Sequence, residues 1–119
     1  MATPELGEDE VARIKVHLES HPVTLALVRT EHAPAEFASV LKSLAGRCQL
    51  SLRNTLSSPN SDMGIAELES KDRRLIVLFI GGERTELLSV SETDDATVKD
   101  IEDSIHSSNF LSEIIRMGL

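Results

Sequence analysis

Six consecutive apolar residues, Leu75-Ile76-Val77-Leu78-Phe79-Ile80, constrain this chain more than any other stretch. Side chains of a strand point alternately to opposite faces, so an unbroken apolar run rich in β-branched types predicts a strand buried on both sides. Arg73 and Arg74 mark where it leaves water. Gly81-Gly82 follows, and the tolerance of glycine for positive φ predicts a tight hairpin that returns through Thr85 to Val90. A strand covered on both faces needs a layer above and a layer below, so helices are expected on each side.

The remaining chain supplies them. Residues 1 to 7 read as a frayed, disordered N-terminus with Pro4 and Gly7 as breakers. Glu8-Asp9-Glu10 precedes Val11, Ile14 and Leu18, a helical stripe with acids at its positive end, predicting a helix over residues 8 to 20 that stops before Pro22. Val23 to Thr30 reads as a second buried strand. Pro34 suits the first turn of a helix, and Phe37, Val40, Leu41 and Leu44 form one face. Gly46 is expected to close that helix as its C′ residue, giving a span of 34 to 45.

Gln49 to Arg53 alternates and predicts a third, half-buried strand, which with the preceding strand and helix makes a βαβ unit of parallel strands. Asn54 to Gly64 reads as loop, with no period in Ser57-Ser58-Pro59-Asn60-Ser61-Asp62. Ile65 to Glu69 alternates weakly and is expected at a sheet edge, where Glu67 and Glu69 discourage pairing. Thr93-Asp94-Asp95 is a cap for a last helix carrying Val98, Ile101 and Ile105, and Phe110, Leu111, Ile114 and Ile115 predict a further helical piece. The expected order is α-β-α-β-(β)-β-β-α in one domain over residues 8 to 119.

A chain of 119 residues with 40% hydrophobic and 3% aromatic content makes one aliphatic core. The net charge of −8 disfavours nucleic acid and anionic membrane surfaces as partners. The acidic N-terminus has no apolar run resembling a signal peptide, and the longest apolar run falls short of the roughly 20 residues a membrane helix needs. With Cys48 as the single cysteine, an intrachain disulfide is impossible, and a cytoplasmic, reducing location is expected.

No cluster of chemistry-bearing residues stands out, and no catalytic, cofactor-binding or metal-ligating residue is assigned. Cys48 beside Arg47 reads as a small, packed residue rather than a reactive thiol. His17 and His21 have the i, i+4 spacing of a metal pair, but His-Leu-Glu-Ser-His departs from His-Glu-x-x-His, and His21 precedes the proline that ends the helix. Asp94, Asp95, Asp100, Glu102 and Asp103 read as a solvated helix face with capping acids. Gly81-Gly82 lacks the surrounding pattern of a phosphate loop.

The element order matches a thioredoxin-like three-layer α/β/α sandwich with a mixed sheet of four to five strands. In redox-active members of that fold the thiols follow the first strand, where this chain reads Arg29-Thr30-Glu31-His32-Ala33-Pro34-Ala35. No cysteine lies there, and dithiol exchange is excluded because the chain has no second thiol. Val16-His17-Leu18-Glu19-Ser20-His21-Pro22-Val23-Thr24-Leu25 resembles the opening of the N-terminal domain of the flavoprotein subunit of bacterial alkyl hydroperoxide reductase. The helix Ala35 to Ala45 is similar to the one that follows there. The resemblance covers roughly residues 11 to 53. It implies the first, thiol-free half of that region, in a system where a second half passes electrons to a peroxiredoxin. The proline that the family places before its third strand is replaced here by Asp72-Arg73-Arg74.

Two functions follow as expectations. One is a non-catalytic accessory or docking module of a thiol-redox system, with a peroxiredoxin or disulfide reductase as protein partner and no cofactor. The other is an acidic protein-interaction or chaperone-like α/β domain unrelated to redox. Hydrolase or transferase chemistry has no supporting feature.

Overall fold

The structure, a computed structural model, describes residues 6–30, 34–57, 63–81 and 84–104. The central apolar run becomes strand β4 (Arg74–Gly81). Leu75, Ile76, Val77, Leu78 and Phe79 are all buried, as a strand packed on both faces requires, and each such side chain contributes about 1.5–3 kcal/mol of transfer free energy. The other elements are α1 (Glu8–Ser20), β1 (Val23–Thr30), α2 (Pro34–Cys48), β2 (Ser51–Ser57), β3 (Met63–Glu69), β5 (Glu86–Glu92) and α3 (Asp95–Ser104). They form a mixed five-stranded sheet in the order β2-β3-β4-β1-β5 with helices on both faces, compatible with a thioredoxin-like α/β/α layout.

Each face has its own core. Leu75, Val77 and Phe79 turn to α1 and α2, where they meet Ile14, Leu18, Val40 and Leu44. Ile76 and Leu78 turn to the opposite face, with Leu25, Ile65 and the α3 residues Val98 and Ile101. The alternation along one strand therefore divides two cores, and both are aliphatic apart from Phe37 stacked on Phe79, centroids 4.9 Å apart.

The strand pairing differs from the expected one in four respects. First, β4 and β5 do not form a hairpin. β1 lies between them, parallel to β4 from Val23↔Arg74 to Thr30↔Gly81 and antiparallel to β5 from Thr24↔Glu92 to Arg29↔Glu86. Strands on either side of a third are about 10 Å apart, too far for a two-residue turn. The physical reason is that β1 is itself apolar toward both layers and carries ladder groups on both edges, which a central place satisfies. Second, β2 is antiparallel to β3, β3 to β4, and β4 is parallel to β1, so β2 runs in the direction of β1 but lies at the far edge. The expected βαβ unit has its common strand direction without adjacency. Third, β3 is interior, between β2 and β4, and β2 is the edge, with exposed side chains from Ser51 to Thr55 rather than half-buried alternation. Fourth, Asn54 to Ser57 and Met63 to Gly64 extend β2 and β3 into the expected loop.

Two boundaries also move. Leu6 is buried in the core and Gly7 caps α1, so the fold includes residues assigned to the frayed end. Helix α2 runs through Gly46 to Cys48, and Gln49 takes the left-handed conformation at φ 58° in place of the glycine. The Leu50 N–H reaches the Ala45 carbonyl at 2.9 Å, the closing bond of a Schellman turn. Residues 1–5, 31–33, 58–62, 82–83 and 105–119 lie outside the described residues, the expected second helical piece included. No helix among the described residues is long and apolar enough to cross a membrane.

Candidate functional site

Cys48 ends α2 because the turn at Gln49 follows it directly. That turn opens a cleft of about 330 Å³ between the last turns of α1 and α2 and the Ser70–Arg73 connection, lined by Lys15, Arg47, Cys48, Asp72 and Arg73 among others. Burial pushes the Cys48 thiol up, and the charges of Lys15 and Arg47 pull against it without prevailing. A raised pKa lowers the share of thiolate, the nucleophilic form of the sulfur. Arg47 itself is spent on the backbone, donating from Nη1 to the Leu6 carbonyl at 2.6 Å. Cys48 is half-buried and packs against the core on the α1 and α2 face of the sheet.

His17 and His21 come close, with ring centroids 5.3 Å apart. His21 caps the helix with extended backbone, and its Nδ1 lies 3.0 Å from Glu92 Oε2 on β5. His17 Nδ1 is buried without a hydrogen-bond partner among the described residues. No group of three or more His, Cys, Asp or Glu side chains among the described residues is arranged to hold a metal ion.

The acidic stretch divides by role. Asp94 Oδ1 accepts the Thr97 N–H at 2.8 Å, capping α3, and that bond lowers the Asp94 pKa. Asp95 pairs with Arg74, whose Nε and Nη2 also reach Glu67 Oε1 at 2.8 and 2.7 Å. Arg74 thus joins β4, β3 and the start of α3 at one corner. Burial opposes its charge, but the hydrogen bonds to Asp95 and Glu67 outweigh that and push its pKa further up.

An apolar opening lies elsewhere, over β2 and β3 beside α2. It is a groove of about 510 Å³ whose walls include Ala38, Leu41 and Lys42 of α2 and Leu52, Thr55 and Ala66 of the sheet. Small residues are among those that line it: Ala38 and Ala45 on the helix, Gly64 and Ala66 on β3. Leu52 is 50% exposed, which leaves apolar surface on this wall in water. Nothing in the chain's periodicity marks this groove. It depends on β2 being the edge, and the one available hint was the mixed polarity of Ser51 to Ser57, which fits a strand with a free side.

Comparison with protein-family models, curated proteins and solved structures finds no match for this chain. What the fold and its openings define is therefore a class: a mixed-sheet α/β domain with two aliphatic cores, a single half-buried cysteine and an open apolar groove.

Proposed function

We propose that the chain is a non-catalytic docking module of thioredoxin-like layout that serves a thiol-redox system in a reducing, cytoplasmic setting. The observation that carries the non-catalytic part is the state of its one cysteine: Cys48 is half-buried with its thiol pKa raised, and no second thiol exists to resolve a mixed disulfide. The redox setting is supported by the resemblance over residues 11 to 53 to the thiol-free half of the reductase domain. The module binds a peroxiredoxin or disulfide reductase without exchanging electrons with it.

Titration calorimetry of the chain against a purified peroxiredoxin and a purified disulfide reductase tests this. Saturable binding that is unchanged in Cys48→Ser is expected. Absence of heat with both partners removes the redox part. Loss of binding in Cys48→Ser, in a variant that melts like the parent, removes the non-catalytic part.

A second reading, a protein-interaction domain unrelated to redox, is favoured by the groove beside α2. An apolar hollow of this size recruits a polypeptide segment by burial and needs no thiol chemistry.

A further inference from the structure

We infer that the outer edge of β2 and the groove beside it form one site, which takes an extended segment of a partner protein as a sixth strand. The inference rests on the docking part of the proposed function and not on its redox part.

Three observations converge. Among the described residues β2 is the outermost strand, and no strand among them pairs with its outward N–H and C=O groups, the ladder that a sixth strand would use. The two sheet edges differ. On β5 the Leu87 N–H is taken by Glu10 Oε2 of α1 at 2.5 Å, and α1 packs along that strand. On β2 the single charge, Arg53, is drawn to Glu69 on β3 at 3.0 Å and leaves Asn54 to Ser57 without a charged side chain. Finally, Leu52 and Thr55 belong to both features, lying on the edge strand and lining the groove. A strand added at β2 sets every second side chain on the α2 side, next to the hollow.

The groove also says what that strand carries. Its lining is apolar except for Thr55 and one charged residue, the exposed Lys42 on its rim. Aliphatic side chains at alternate positions fill the hollow, and a carboxylate at one end meets Lys42. A second copy of this chain fits less well. Antiparallel pairing of β2 with β2 brings Ser-Leu-Arg-Asn-Thr-Leu-Ser against itself, which offers no acid to Lys42, and each chain carries a net charge of −8.

The probe is a fluorescein-labelled peptide, Thr-Leu-Glu-Val-Thr-Val-Thr, followed by anisotropy against the full chain. Saturable binding is expected. Ala38→Trp, an exposed change that fills the hollow, weakens it at least tenfold while circular dichroism and melting stay at parent values. Lys42→Glu weakens it several-fold and reverses the preference for this peptide over its lysine-for-glutamate analogue. N-methylation of alternate peptide residues abolishes it, because the ladder bonds are lost. Binding that survives N-methylation, or is unmoved by Ala38→Trp, overturns the inference. So does a peptide that does not bind. Sedimentation showing a dimer that Leu52→Lys disperses gives the edge to a second copy and overturns it as well. If a peroxiredoxin binds equally to parent and Ala38→Trp, this site fails while the proposed function stands. If the peptide behaves as expected and no thiol-redox protein binds, the redox reading fails while this site stands.

Discussion

At the scale of single residues, the end of α2 shows how a local rule is broken and what that costs. Gly46 sits inside the last turn, and a Cβ placed there meets nothing within 4 Å. Gln49, with φ 58°, occupies the position where glycine is the unstrained choice. The two residues have, in effect, exchanged roles. Gly46→Ala is expected to stabilise by about 0.5–1 kcal/mol, since alanine is the better helix residue and restricts the unfolded chain. Gln49→Gly is expected to stabilise by a similar amount, roughly 0.5–1 kcal/mol, by removing the left-handed penalty. Urea melts of both variants check this, and a destabilised Gly46→Ala would show that the helix end is not as open as it stands here. Asp94 makes a pH prediction. Its folded pKa is lowered by the bond from the Thr97 backbone. The cap's contribution is therefore present above the unfolded aspartate value of about 3.9 and lost as pH falls through the lower folded value. The difference in melting temperature between parent and Asp94→Ala is expected to be constant near neutrality and to shrink below that range. A gap that persists in acid would mean that the cap does not depend on charge. The sequence located this cap because Thr-Asp-Asp before an amphipathic run is a local signal. It misplaced the end of α2 because a glycine near a helix end reads as the C′ residue wherever it falls.

At the scale of elements, local periodicity served well for α1, β1 and β4, whose bounds lie within a residue of those read from the pattern. It served poorly for β2 and β3. Alternation along a strand says which face each side chain takes, but not which strand lies alongside, so Ile65 to Glu69 read as an edge although β2 and β4 flank it. Glu67 misled in the same way. It is nearly buried, and its charge is met by Arg74 across the ladder and by Arg53 at 3.9 Å. Arg74 holds three elements together, so Arg74→Met is expected to destabilise by about 2 kcal/mol, less than a fully buried pair because Arg53 partly replaces it and Asp95 is in water. The double variant Arg74→Met, Glu67→Leu is expected to recover most of that loss, since no buried charge is then left alone. A double-mutant cycle in urea checks both, and strict additivity would mean the pair is not coupled.

At the scale of the whole molecule, the central strands β4 and β1 are covered on both sides and bonded on both edges, whereas β2 is outermost among the described strands and has exposed side chains from Ser51 to Thr55. Amide exchange should follow that gradient. Leu25 to Val28 and Ile76 to Phe79 are expected to open only with global unfolding, and Asn54 to Leu56 to exchange through local opening at much lower free energy. Equal protection of β2 and β4 would mean that the edge is covered. What the amino-acid order determined by itself was the inventory: two strands apolar enough to be central, helices with one apolar stripe each, and a single thiol with no second in the chain to resolve a mixed disulfide. Those properties follow from contacts within a few residues and from counting. Which strand lies beside which, the place of β1 between β4 and β5, and the groove beside α2 were decided only in three dimensions. Ladder bonds join residues far apart in the chain, backbone groups carry no side-chain signature, and several strand orders bury the same apolar faces.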